Sequence, residues 1–191
     1  MCLNQSVKGL RMRARYLSLL ILASLYLAAQ ALAQKEQRQP LTETQIEQIR
    51  EAGIDPDERV RLYTKFLQER VDSIKGLTPR IHSGARVKRL DGELQDLTAL
   101  MDELGANLDQ YGDRKADLRK SLKGLTEANK QWLDVLNALP SESGFELSRK
   151  EAIDSEKDLA DQAGQMLKEQ TDYFNLHKDE KGQDRAEPKP Q

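Results

Sequence analysis

Residues 87–139 read VKRLDGELQDLTALMDELGANLDQYGDRKADLRKSLKGLTEANKQWLDVLNAL, and their periodicity decides the fold. Val87, Leu90, Leu94, Leu97, Met101, Leu104, Leu108 and Tyr111 recur in alternating steps of three and four. The same phase continues through Lys115, Leu118, Leu122, Leu125, Asn129, Trp132, Leu136 and Leu139. Fourteen of these sixteen a and d positions are apolar, which is the pattern of a coiled-coil-like seam. The sequence therefore predicts an all-α protein, an antiparallel helical bundle organised on the seam of residues 87–139.

Two chain paths satisfy that pattern. No proline interrupts it before Pro140, and an unbroken phase favours one continuous spine helix of ~80 Å at 1.5 Å per residue. The other path breaks at Gly112-Asp113, with Asp113 capping a new helix, and gives an up-down four-helix bundle. Gly92, Gly105, Gly112 and Gly124 fall off the seam, where each costs ~1 kcal/mol against alanine.

Shorter helices flank the seam. Thr42 and Gln45 have capping-box spacing at the start of one, and Gly53 ends it. Asp55-Pro56-Asp57-Glu58 starts the next, with Asp55 as cap and Pro56 at the first helical position. Its apolar face is Val60, Tyr63, Phe66, Leu67, Val71 and Ile74, and Gly76 with Thr78-Pro79 closes it. After a loop at residues 140–144, a last helix of about thirty residues carries Ile153, Leu159/Ala160, Met166/Leu167 and Tyr173/Phe174 near a seven-residue repeat.

The first 33 residues read as a Sec-type signal peptide. Lys8, Arg11, Arg13 and Arg15 lead an apolar run from Tyr16 to Ala29, and Ala31-Leu32-Ala33 supplies small residues before the cut. The run is shorter than the ~20 residues that span a bilayer comfortably, which favours cleavage over a retained anchor. The expected organisation is a signal peptide at 1–33, a linker at 34–40, a helical bundle domain at 41–177 and a disordered tail at 178–191, rich in charge and containing two prolines. The expected location is periplasmic or extracellular.

Composition narrows the function. The signal takes four of the 30 basic residues and none of the 32 acidic ones, so the rest carries about −6. That balance argues against a nucleic-acid partner, whose proteins are usually basic. Cleavage also removes Cys2, the single cysteine, leaving no disulfide and no thiolate ligand. His82 and His177 stand in no Glu-x-x-His, HExxH or haem-attachment context. Ser141 and Ser143 lack a nucleophile elbow, and no phosphate-binding glycine loop occurs. The carboxylates Asp102/Glu103 and Asp154/Glu156/Asp158/Asp161 read as solvated groups on polar helix faces. No catalytic residue, metal site or cofactor is predicted.

Two features remain as candidates. Between Asp72 and Asp91 there is no acidic residue, while Lys75, Arg80, Arg86, Lys88 and Arg89 all occur. Cations near a helix start oppose the macrodipole, so this stretch is a candidate contact for an anionic partner: lipid headgroups, an envelope polymer or an acidic protein face. Lys115 and Asn129 are the polar residues on the seam, and such residues can set register or partner number in a homo-oligomer. Replacing Asn129 with leucine is then expected to raise stability and broaden the oligomer distribution.

Leu41-Thr42-Glu43-Thr44-Gln45 resembles the LTxxQ motif of the periplasmic stress chaperones. That resemblance implies a secreted, all-helical, curved dimer that holds unfolded clients. The nearest second copy, Leu125-Thr126-Glu127-Ala128-Asn129, departs from it by ending in asparagine. The expected function is that of an exported, non-enzymatic helical protein acting through protein or envelope contacts. The alternatives are a chaperone-like or stress-sensing protein, and a small-ligand carrier or enzyme with its site between helices.

Overall fold

A computed structural model describes residues 39–80, 83–114 and 116–177. Among them are five α-helices and no strand: α1 (Glu43–Glu51), α2 (Pro56–Leu77), α3 (Gly84–Asp113), α4 (Arg119–Asn137) and α5 (Glu146–Leu176), with a 3-10 turn at Thr78–Arg80. The all-α bundle predicted from the seam is what forms. The signal peptide, most of the linker, His82, Lys115 and the tail lie outside the described residues. No helix among the described residues is long and apolar enough to cross a membrane.

Local chemistry starts the first helices as the sequence leads one to expect. Thr42 Oγ1 accepts the Gln45 N–H at 3.3 Å while Gln45 Oε1 accepts the Thr42 N–H at 2.9 Å, a reciprocal capping box. Gly53 closes α1 with φ of 60°, a conformation that favours glycine. Asp55 Oδ1 accepts the N–H groups of Asp57 and Glu58 at 3.1 and 3.3 Å, and Pro56 opens α2. The α2 stripe Val60, Tyr63, Phe66, Leu67, Val71 and Ile74 is buried throughout.

The continuous spine is overturned. α3 stops at Asp113, α4 begins at Arg119, and the chain reverses between them. The reversal is visible against α2. Tyr63 pairs with Glu103 and Arg70 with Glu93, so α2 and α3 run antiparallel. Asp57 meets Ser121 and Gln68 meets Trp132, so α2 and α4 run parallel. Heptad phase survives because both arms turn one stripe to the same core. The connection also adds Leu118, buried and in step with the stripe, and the buried Ala116 beside it. Phase continuity thus reports a shared core and not a continuous helix.

Tertiary hydrogen bonds hold the turn. Ala116 N–H donates to Tyr111 O at 3.1 Å, closing the end of α3. From α5, the Gln170 carboxamide accepts the Leu118 N–H and donates to Ala116 O, both at 2.8 Å. α4 has no side-chain cap at Leu118. Instead Asp57, reaching across from α2, accepts the Ser121 N–H at 3.0 Å.

α2 and α5 each pack against both α3 and α4, which face each other across the bundle. α5 runs parallel to α3, with Ser148 bonded to Asp91, Ser155 to Asp102 and Gln162 to Asp109. Gly105 and Gly112 lie on this α3–α5 face, where an added Cβ would come within 3.1 Å of Gln162 and 3.2 Å of Met166. Their small size permits the close approach, which accounts for the off-seam glycines at those two positions. Trp132, Tyr63, Phe66 and Phe145 are the largest core side chains, each worth roughly 2–3 kcal/mol when buried.

The Gln170 bridge predicts a defined cost. Gln170→Ala removes two hydrogen bonds to backbone groups of the turn and should destabilise the fold by about 1–3 kcal/mol. Urea denaturation followed by circular dichroism measures it, and Gln170→Glu, which swaps the donor for a second acceptor, should not restore the loss.

Candidate functional site

The candidate cations gather at one end of the bundle, where α2 ends, α3 begins, α4 ends and α5 begins. Ser83 caps α3, its Oγ accepting the Arg86 N–H at 3.3 Å, and no acidic residue occupies the first turn of α3. Lys88 and Arg89 are exposed and Arg86 is half-buried. Among the described residues none of these three side chains forms an ion pair. Lys75 is different, since it pairs with Asp72 at 3.6 Å. Arg80 lies in the 3-10 turn that leads toward α3.

Several carboxylates around this end are bonded to other groups. Glu146 takes Arg149 at 3.2 Å, Lys150 at 3.5 Å and the Ser141 hydroxyl, and the Arg149 contact holds its carboxyl below the usual range. Asp91 accepts Ser148 at 2.6 Å and Gln95 at 2.9 Å. Glu93 binds Arg70, which is also 3.6 Å from Asp96. The start of α4 shows the contrast. It too begins with cations, Arg119, Lys120 and Lys123, but Asp117 pairs with Arg119 at 2.8 Å and Asp57 reaches in from α2. The macrodipole is answered at α4 and left adverse at α3.

A second cluster lies in the core. Glu156 is 0% exposed and neither carboxyl oxygen has a hydrogen-bond partner. Asn129 is 2% exposed, and both its amide atoms are likewise unpartnered. Two other buried polar groups are satisfied: Trp132 Nε1 donates to Gln68 at 2.8 Å and Tyr63 donates to Glu103 at 2.6 Å, whereas Arg59 Nε on α2 also lacks a partner. Burial pushes the Glu156 carboxyl up to about 7; the negative charge of Asp161 adds to the rise and Lys157 works against it. The same cause, desolvation, raises the Tyr63 phenol, with Glu103 reinforcing it.

The expectation that Glu156 is a solvated surface carboxylate is therefore corrected. Its signal was present: Ala152, Glu156, Leu159 and Ala163 recur in steps of four, three and four, so Glu156 occupies a core position of α5. Residue type alone places a glutamate on the polar face, whereas the spacing places it in the core. Asn129 is on the seam and sealed in the core. Lys115, its companion as a register candidate, lies outside the described residues.

At the opposite end from the cations, the ends of α3 and α5 border an open groove of about 500 Å³. Asp109, Asp113 and Glu169 line it together with Met166, Tyr173 and Phe174. Several of these groups have internal partners. Asp109 accepts Gln162 at 2.6 Å, the Arg119 guanidinium lies 4.5 Å from the Phe174 ring centre, and Tyr173 stacks on His177. Among the described residues no group of three or more His, Cys, Asp or Glu is placed to hold a metal ion. Among the described residues the large exposed apolar side chains are Ile54, Leu147 and Leu176, with Leu147 at the other end from Leu176.

No family model, curated protein or solved structure matches the chain. The two stretches that resemble the stress-chaperone motif have different structural roles. Thr42 and Gln45 form the α1 capping box, whereas Leu125–Asn129 sits inside α4, where the Thr126 hydroxyl donates to Lys123 O.

The unpartnered amide predicts a stabilising substitution. Asn129→Leu removes two unsatisfied polar atoms at nearly constant volume and should stabilise the fold by about 1–2 kcal/mol, read as a higher urea midpoint with an unchanged slope.

Proposed function

We propose that this is an exported, non-enzymatic binding protein that docks an anionic envelope component through the start of α3. The observation that carries this reading is the uncompensated charge of Arg86, Lys88 and Arg89. The first turn of α3 holds Arg86 and no acid, Lys88 and Arg89 follow in the next turn, and Asp91, Glu93 and Glu146 are engaged with other groups. An arrangement that weakens the folded chain becomes favourable when a phosphate or carboxylate surface supplies the missing charge. Lys75 and Arg80 extend the same end, Lys75 at the expense of its Asp72 contact. Export follows from reading residues 1–33 as a signal peptide, which would place this end before the anionic lipids and polymers of an envelope.

A client-holding chaperone needs a continuous exposed apolar surface, and isolated side chains such as Ile54, Leu147 and Leu176 offer little of one. The binding reading makes fewer demands on the surface available.

Each cation near an anionic membrane contributes about 1 kcal/mol. Reversing Arg86, Lys88 and Arg89 to glutamate should therefore weaken binding to phosphatidylglycerol-containing vesicles by at least ~100-fold. Wild-type binding should fall as salt is raised, because exposed charges are screened. Vesicle co-sedimentation, with circular dichroism confirming that the triple variant is folded, makes the measurement. Undiminished binding by the folded variant would refute the proposal.

A further inference from the structure

Glu156 and Asn129 come from different helices, α5 and α4, and the helix register sets them at one level of the bundle. Gln170 meets Leu118 where α5 and α4 pass each other in opposite directions. At 1.5 Å per residue, Glu156 lies about 21 Å along α5 from that point and Asn129 about 17 Å along α4. The two levels differ by less than one helical turn. A second path agrees. Ser155 bonds Asp102, the next residue Glu103 bonds Tyr63, and Gln68 bonds Trp132, one turn beyond Asn129. The middle of the core thus carries a polar layer whose four side-chain heteroatoms have no partner.

We propose that this layer is a proton-controlled latch: a neutral Glu156 keeps α5 seated on α3 and α4, and loss of its proton releases α5 and uncovers the apolar seam. A neutral carboxyl is tolerable in the core, whereas a carboxylate without a donor or a cation is costly. The surrounding charges give an anion little help. On α5, Asp161 opposes ionisation and Lys157, the one nearby cation of that helix to favour it, is 3.9 Å from Asp154. From α3, Asp102 is the charged residue near this level on the face turned toward α5, and it is bonded to Ser155. On the α4 flank that carries Arg119, Thr126 and Leu133, Lys130 is the charged residue near this level, and it is exposed. α2, across the core, presents Tyr63, whose hydroxyl is engaged with Glu103.

The sign follows from linkage. The folded carboxyl titrates near 7, above its ordinary value of 4.5, so between those values the folded chain holds a proton that the unfolded chain has lost. Stability is full below about 4.5 and declines as pH rises through 7, by roughly 300-fold in the folding constant if the whole shift is realised. α5 is the helix that bears the charge and the last of the chain's described helices. It can therefore leave without drawing another described helix after it.

The deciding measurement is amide hydrogen exchange of the full chain between pH 5 and 8.5, corrected for the intrinsic pH dependence of exchange and resolved by peptide. Expected is a loss of protection in α5 and in the facing residues of α3 and α4, with a midpoint near 7, while α2 stays protected. Glu156→Gln should keep α5 protected across the range, and Glu156→Leu should do the same should the amide fold poorly. Asn129→Leu should move the midpoint upward, since an apolar neighbour solvates the carboxylate less well; an unmoved midpoint overturns the part assigned to Asn129. A flat wild-type profile, an unchanged midpoint in the Glu156 variants, or simultaneous loss of protection in all helices overturns the latch. None of these outcomes depends on vesicle binding by the α3 cations, so the two proposals fail separately.

Discussion

The reversal between Asp113 and Arg119 is the constraint from which the rest of the architecture follows. An apolar stripe folded back on itself becomes two stripes, and each must be covered. α3 and α4 do not cover one another, because they stand on opposite sides of the bundle. α2 and α5 fill the two gaps, each touching both arms. The turn is correspondingly tied to both covering helices, by Gln170 of α5 and Asp57 of α2. With no side-chain cap of its own, α4 begins where it does because another helix supplies an acceptor.

Against this well-satisfied frame the centre of the bundle is a weak place. Trp132, Tyr63 and Ser148 show how the fold normally treats a buried polar group, with a partner brought from a neighbouring helix. Glu156 and Asn129 receive none among the described residues. A domain is stabilised by about 5–15 kcal/mol in total, so one unpartnered buried carboxyl is a large fraction of the margin. Leucine at either position would pack without that penalty. Under the latch proposed above, a titratable group in the core links the seating of α5 to proton concentration.

Charge on the surface is arranged with similar unevenness. Most exposed pairs are local i,i+3 or i,i+4 contacts, such as Arg50 with Glu47 and Lys168 with Asp172, which add a few tenths of a kcal/mol each. The start of α3 lacks even these. Arg70 shows that the fold can recruit acids over distance, since it joins α2 to Glu93 and to Asp96 of α3. Arg86, Lys88 and Arg89, earlier on α3, form no such pair among the described residues.

The helical class, the caps at Thr42 and Asp55, the glycine stop at Gly53 and the main apolar stripes of α2, α3 and α4 were determined by the sequence alone. Each rests on interactions between residues within one or two turns, so spacing and side-chain type suffice. The acid-free stretch from Lys75 to Arg89 was also readable as composition. Tertiary structure decided what depends on distant partners. It broke the spine, because a heptad phase records which face is buried and not whether the chain continues. It bonded Asp91, Glu93 and Glu146 to other groups and left Arg86, Lys88 and Arg89 with no ion pair among the described residues. It also carried Glu156 into the core, where the same carboxylate that dissolves readily on a helix surface becomes difficult to ionise once α3 and α4 close over it.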